Sequence, residues 1–152
     1  MPEEDRETIL LRGKEVQVGV KLMLFNPDGN FLIIKRNPEK YPGLGEKWDI
    51  PGGRMFPKEE TVWDGGKREV RNETGLEITE NEKPVFIGKQ KFPQKPGGPE
   101  VTRLTYKARA TGDVKLSDEH TEYRWVTIEE AKQMQDLDPY LKVLLDEPET
   151  AK

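Results

Sequence analysis

Residues 52–76 read GGRMFPKEETVWDGGKREVRNETGL and join a pair of glycines to a strongly charged segment. The segment 61–74 is predicted to form a helix, because small or apolar residues recur at every fourth position. These residues are Val62, Gly66, Val70 and Thr74. Thr61, followed three residues later by Asp64, resembles a capping box, and Gly75 suits the left-handed position just beyond the last turn.

One face of this helix carries oxygen-bearing side chains, namely those of Glu69, Asn72 and Glu73. Two carboxylates four residues apart repel each other unless a cation lies between them or solvent screens them. Oxygen ligands without His or Cys select Mg²⁺ or Mn²⁺, and Mg²⁺ is usually bound together with substrate phosphates. The face therefore indicates metal-assisted chemistry on a phosphorylated small molecule, with an ordinary solvated acidic surface as the alternative.

Two glycine pairs in this stretch lead to structural expectations. Gly52 and Gly53 follow Pro51 and are predicted to form a turn that ends a short strand at 48–50. Gly65-Gly66 lies in mid-helix, where each glycine costs about 1 kcal/mol relative to alanine, so we expect another backbone to approach closely there.

The remainder of the chain contains mainly strands. Alternating apolar residues predict a strand at 16–24 and another at 31–36, joined by a turn at Pro27-Asp28-Gly29. Further strands are expected at 85–92, 101–110 and 123–126, and short helices are expected from residue 127 and after Asp138-Pro139. This order predicts an α+β fold with a mixed sheet covered by helices.

The composition narrows the class of protein. A chain of 152 residues fits one domain, 1–152, whose charged ends at about 1–10 and 147–152 are expected to fray, with the folded part beginning near Val16. A net charge of −4 argues against a duplex nucleic-acid binder. The absence of Cys and the single His120 exclude thiolate sites and zinc sites that need two histidines. An acidic N-terminus and the lack of a long apolar run predict a cytoplasmic protein with no membrane partner.

The same segment resembles the Nudix hydrolase signature. That signature is a glycine, five residues, Glu, seven residues, Arg-Glu, an aliphatic residue, any residue, Glu-Glu, any residue, glycine and an aliphatic residue. The chain supplies Gly53, Glu60, Arg68, Glu69, Val70, Glu73, Gly75 and Leu76. It departs from the pattern in having six residues between Gly53 and Glu60, and in having Asn72 at the first position of the Glu-Glu pair.

The resemblance, which extends over most of the chain, implies an α/β/α sandwich with a mixed β-sheet flanked by helices. It implies a hydrolase that cleaves the pyrophosphate bond of a nucleoside diphosphate linked to another moiety: a nucleoside triphosphate, ADP-ribose or a nucleotide sugar. The alternative is a catalytically impaired nucleotide-binding or regulatory protein on the same fold. Asn72 favours it, because a neutral amide is a weaker metal ligand than the carboxylate that the family has at this position. The expected partner is a small-molecule nucleotide, and the oligomeric state is left open between monomer and homodimer.

Carried over residue by residue, the resemblance implies Mg²⁺, or Mn²⁺ in its place, on Glu69, Glu73 and the carbonyl of Gly53 or Gly52. Arg68 and Glu60 would orient these ligands. Many family members add an acidic loop residue before the last strand, for which Glu119 is the first candidate and Glu122 the second.

Three other polar residues are candidates for the site. Arg36 and Arg54 resemble positions that touch substrate phosphates in relatives. Surface positions are the alternative for both arginines. His120 could act as a base, although a single loop histidine is more often incidental.

Overall fold

The computed structural model describes residues 8–11, 14–40, 47–55, 61–79, 84–92 and 100–147. Within these ranges the chain forms nine strands and three helices. In chain order they are β1 (Thr8–Leu11), β2 (Lys14–Phe25), β3 (Phe31–Arg36), β4 (Trp48–Asp49), β5 (Gly52–Arg54), α1 (Val62–Thr74), β6 (Glu77–Ile78), β7 (Val85–Phe92), β8 (Glu100–Thr111), β9 (His120–Val126), α2 (Ile128–Lys132) and α3 (Pro139–Leu145). The strands and helices expected from the sequence are all present, and β1, β5 and β6 are additional.

The sheet is mixed, as predicted. Strands β2 and β8 run parallel and pair from Val16 opposite Glu100 to Phe25 opposite Arg109. All other pairs recorded for the described strands are antiparallel, including the long β7–β8 hairpin. Strand β2 also pairs with β1 and β5, so it lies at the centre of the architecture.

Apolar cores lie on both faces of the sheet. Alternate residues of β2 and β3, such as Val20 and Ile34, pack with Val70 of α1 on one face. The intervening residues, such as Met23 and Ile33, belong to a second core that also contains residues of the α2–α3 region. This arrangement confirms the α/β/α sandwich, because a strand whose two faces are both covered must lie between two helical layers.

Local end signals are confirmed. The Thr61 hydroxyl accepts a hydrogen bond from the Asp64 N–H at 3.1 Å, and Gly75 has a φ of 74°. Helix α2 begins with a complete capping box between Thr127 and Glu130. None of the helices in the described ranges is long and apolar enough to cross a membrane.

Three expectations are wrong in detail. Residues 8–11 pair with β2 as β1, so strand structure begins before Val16, while 1–7 and 148–152, where fraying is also predicted, lie outside the described residues. The Gly52-Gly53 pair is not a turn, because 52–54 pairs with β2 as β5. The close neighbours of Gly66 are side chains, since an added Cβ would lie 3.2 Å from Cδ2 of Leu22. Glycine therefore allows α1 to pack tightly on side chains of the sheet, and no backbone contact is needed to explain it.

Candidate active site

A cavity of about 450 Å³ lies where α1 meets the sheet, and strands distant in sequence contribute to it. Its lining is almost entirely charged or glycine. The described lining residues are Gly19, Lys21, Arg36, Asp49, Gly52, Gly53, Arg54, Glu69, Glu73, Val101, Arg103, Glu119 and His120. Carboxylates of α1 and the loop before β9 are thus brought into one space with cations of β2, β3 and β8.

Glu73 is the deepest carboxylate of α1, with a relative exposure of 4%. Its Oε1 accepts a hydrogen bond of 2.9 Å from the backbone N–H of Gly52. Burial raises the pKa of Glu73 to about 8; nearby Lys21 and the Gly52 N–H lower it, while Glu69 and Glu119 raise it further. Burial is the largest cause, so it disfavours the charged form of Glu73, and a bound cation would favour its ionised form.

Strand β5 fits this site only because it contains two glycines. Gly52 has a φ of 138°, and a Cβ at this position would collide with the Val20 carbonyl oxygen. At Gly53 a Cβ would lie 3.0 Å from Cδ of Glu69, so the absent side chain leaves room for that carboxylate. The Glu69 carboxylate is also oriented from its own helix, since Nη1 of Arg68 donates to its Oε1 at 2.9 Å.

Replacing Gly53 with alanine is expected to lower turnover at least tenfold while leaving the thermal midpoint nearly unchanged. The added methyl displaces only the flexible end of Glu69, and a misplacement of about 1 Å in a reacting site can cost up to about a hundredfold in rate. Initial rates and thermal melts of both proteins provide the measurement. Wild-type turnover in the alanine variant would contradict the assigned contact.

The donor set fits a hard divalent cation. Among the described residues, no group of three acidic or histidine side chains is arranged to hold an ion by itself. Mg²⁺ commonly takes one or two carboxylates and completes its shell with phosphates and water, so Glu69 and Glu73 with a backbone carbonyl are sufficient. The Gly52 carbonyl accepts from Nζ of Lys21 at 3.3 Å, and Gly53 lies opposite Val20 in the ladder with β2, so these contacts leave both glycines as sources of that carbonyl.

A buried charge network centred on Asp49 forms another wall of the cavity. The Asp49 carboxylate meets Nη2 and Nη1 of Arg103 at 2.8 and 3.2 Å, Nη2 of Arg36 at 3.0 Å and Nζ of Lys21 at 3.3 Å. Side chains of Asp49 and Arg103 are only 2% and 3% exposed. Three cations around one carboxylate leave this wall with a positive surplus, which Asp138 reduces through its contacts with Arg36 and Arg103.

The structure brings most of the predicted site residues together. Glu69, Glu73, Gly53, Glu119, Arg36 and Arg54 all line the cavity. Glu122 instead pairs with Lys35 at 3.1 Å, so the loop position that reaches the cavity is Glu119. Asn72 is exposed and is not a lining residue, and Glu60 lies outside the described residues. The predicted role of Glu60 in orienting the metal ligands therefore remains a prediction.

The two arginines differ in setting. Arg54 is exposed at the end of β5, and its Nη1 lies 2.6 Å from Oε1 of Gln17. Arg36 is largely buried and anchored by carboxylates. The alternative of a surface position is therefore wrong for Arg36. Arg54 is exposed, but it also lines the rim of the cavity.

Sequence reasoning missed Lys21, Asp49 and Arg103. A signal was present for Lys21, which is the single charged residue of 16–25, whereas Arg103 lies in a strand that also contains Lys107 and Arg109. His120, treated as incidental, also lines the cavity. Burial lowers the pKa of His120 to about 4, helped by Lys21 and Arg36 and opposed by Asp49, so its imidazole is neutral at pH 7.

Comparison with known families decides the identity. A model of the NUDIX domain matches residues 15–147. The chain is a Nudix hydrolase. Enzymes of this family hydrolyse pyrophosphate bonds in nucleoside diphosphate derivatives and generally need a divalent metal, and their partners are small-molecule nucleotides.

Solved structures agree with this assignment. The MutT protein from Methanosarcina mazei Go1 is 30% identical over 85% of this chain and 89% of its own, with a TM-score of 0.72. A MutT NUDIX hydrolase from Burkholderia pseudomallei is 23% identical over 86% and 96% of the two chains, with a TM-score of 0.67. An Ap4A hydrolase from C. elegans is 24% identical over 84% and 91%, with a TM-score of 0.59. The last two likenesses establish the fold alone, and comparison with curated proteins gave no match.

Proposed function

We propose that this Nudix hydrolase cleaves the pyrophosphate bond of a nucleotide with Mg²⁺ held by Glu69, Glu73 and the Gly53 carbonyl. One observation carries the proposal: one cavity is lined both by carboxylates and by guanidinium groups. A phosphate chain in this cavity would meet the cationic side chains and the proposed cation site together. A cytoplasmic location, which agrees with the lack of cysteine, is part of the same proposal.

The side chains divide the work of hydrolysis. When bound, Mg²⁺ supplies positive charge that offsets the charge of the phosphate oxygens. Arg36 and Arg54 bind and orient those oxygens, because a guanidinium fork matches phosphate geometry. Arg68 holds the Glu69 carboxylate in place. A water molecule attacks one phosphorus, the bond from that phosphorus to the bridging oxygen breaks, and Glu119 accepts the proton of the water.

The substrate is to be found by a screen for Mg²⁺-dependent release of phosphate or nucleotide. The panel contains nucleoside triphosphates, ADP-ribose, nucleotide sugars and dinucleoside polyphosphates, since MutT and Ap4A hydrolases are among the similar structures. Hydrolysis of at least one compound is expected. Nucleotide binding by calorimetry without any turnover would instead favour the binding-protein alternative, which rests on Asn72, an exposed residue outside the cavity lining.

Replacing Glu119 with Gln is expected to lower kcat by about 10² to 10⁴ with little change in KM, the range typical for loss of a general base. Steady-state kinetics on the best substrate of the screen measures both constants. Glu122→Gln is the matched control, since Glu122 is three residues away and pairs with Lys35 outside the cavity. An unchanged kcat in Glu119→Gln would move the proton acceptor to Glu69.

A further inference from the structure

The two carboxylate oxygens of Asp138, the residue that caps α3, have different partners. Oδ1 accepts from the backbone N–H groups of Tyr140 and Leu141 at 2.9 and 3.1 Å, as expected for a helix N-cap. Oδ1 also accepts from Nη1 of Arg103 at 3.4 Å, whereas Oδ2 accepts from Nη2 of Arg36 at 2.9 Å. Asp138 is 6% exposed, so its charge is removed from water and depends on these partners.

The backbone beside Asp138 is fixed to the sheet. Its N–H donates to the Trp48 carbonyl at 2.7 Å, and the Trp48 N–H donates to the Asp136 carbonyl at 2.9 Å. The start of α3 is therefore attached to β4, directly beside Asp49. This attachment sets the position of the Asp138 carboxylate relative to the cavity.

Arg36 contacts the Asp138 carboxylate through a single nitrogen. Its Nη2 donates to both Asp49, at 3.0 Å, and Asp138, at 2.9 Å. Its Nε and Nη1 make no hydrogen bond within the part of the chain that the structure describes. The side chain is 15% exposed and lines the cavity, so donors remain for a ligand there.

We propose that Asp138 is a positioning residue for substrate binding, which holds Arg36 so that its remaining nitrogens meet the phosphate oxygens. This inference rests on the proposed function, because it presupposes that Arg36 binds the phosphate oxygens of the substrate. Asp138 itself lies outside the cavity lining. A charge-assisted hydrogen bond to a buried carboxylate removes rotamer freedom from a long side chain before the substrate arrives. Asp138 suits the test better than Asp49. Its contact with Arg103 uses the Oδ1 that asparagine keeps, whereas Asp49 binds Arg103 through both oxygens and also pairs with Lys21.

The competing view is that Asp138 serves only as a helix cap. Asp138→Asn separates the two roles, because asparagine is an equally good N-cap and keeps the oxygen that accepts from Tyr140 and Leu141. Its amide nitrogen then faces the Nη2 donor of Arg36. The cap is retained, and the contact with Arg36 is lost.

The experiment is a double-mutant cycle of Asp138→Asn and Arg36→Met. KM and kcat are measured on the best substrate of the screen, and binding of inorganic pyrophosphate with Mg²⁺ is measured by calorimetry. Asp138→Asn is expected to raise KM and the pyrophosphate Kd about tenfold, with kcat changed less than about threefold. The double variant is expected to match Arg36→Met alone.

Thr127→Ala is the control, since it removes the exposed cap of α2 without touching the cavity and should leave KM unchanged. If Arg36→Met does not fold, Arg36→Lys takes its place in the cycle. An Asp138→Asn variant with wild-type KM and Kd, or an effect of equal size in the Arg36 background, would overturn the proposal.

Failure of the proposed function looks different. In that case the wild type hydrolyses no compound of the panel, and the pyrophosphate arm of the cycle alone decides the role of Asp138. A wild type that does not bind pyrophosphate would overturn both ideas.

Discussion

Glu73→Gln is expected to reduce turnover about a thousandfold at saturating Mg²⁺ while the protein remains folded. The substitution removes a carboxylate proposed to bind the metal, and charge stabilisation by a metal contributes several kcal/mol to such reactions. The fold should persist because the amide oxygen can still accept the hydrogen bond from the Gly52 N–H. Initial rates over a Mg²⁺ titration and far-UV circular dichroism measure the two effects.

Glu122→Gln provides the matched control for this experiment. It is the same chemical change on an exposed strand residue that pairs with Lys35, so turnover should not change. Near wild-type turnover of a folded Glu73→Gln protein would contradict the assignment of Glu73 to the metal.

Asp49→Asn is expected to cost about 3–5 kcal/mol in the free energy of unfolding, the usual effect of removing one partner of a buried ion pair. It leaves Arg103, which is 3% exposed, and the nearby Arg36 and Lys21 with one counter-charge fewer. Urea denaturation at pH 7 measures the difference. Asp28→Asn, the same substitution at an exposed turn, should change stability by less than about 0.5 kcal/mol.

The loss of stability in Asp49→Asn should also depend on pH. Burial alone would raise the pKa of Asp49, but Arg103, Lys21 and Arg36 hold it well below its ordinary value of 3.8. Stability from a lowered pKa is fully present above the unfolded-state value and is lost as the pH falls toward the folded-state value. The difference between wild type and Asp49→Asn should therefore be full at pH 7 and shrink below about pH 4. A constant or growing difference on acidification would contradict this account.

The part of the site carried by α1 was readable from the sequence. The helix, its caps at Thr61 and Gly75, and the pairing of Glu69 with Glu73 depend on residues within one helical turn of each other. The position of Gly52-Gly53 was not readable as a strand. Its partner residues, Gly19 to Lys21 in β2, lie some thirty residues earlier, and only chain folding brings them beside it.

The cationic wall could not be predicted from the sequence, because it depends on which helix covers each face of the sheet. Lys21 and Met23 alternate with the apolar residues of β2, so the sequence alone suggests a solvent-facing side for that strand. Helix α3 covers this side, buries Met23 and brings Asp138 to Arg36 and Arg103. Lys21 therefore belongs to the charge network around Asp49 and does not lie on a solvent-facing side of the strand.

The sequence by itself determined the family, the carboxylate-bearing helix α1 and the order of the longer strands, because signature spacing, caps and apolar periodicity are local properties of the chain. Tertiary structure alone decided which charges meet across the cavity. Asp49, Arg103 and Asp138 are separated by 35 to 89 residues. Their contacts arise from the crossing of β4, β8 and the start of α3, and burial there forces opposite charges to pair because an isolated charge cannot leave water without large cost.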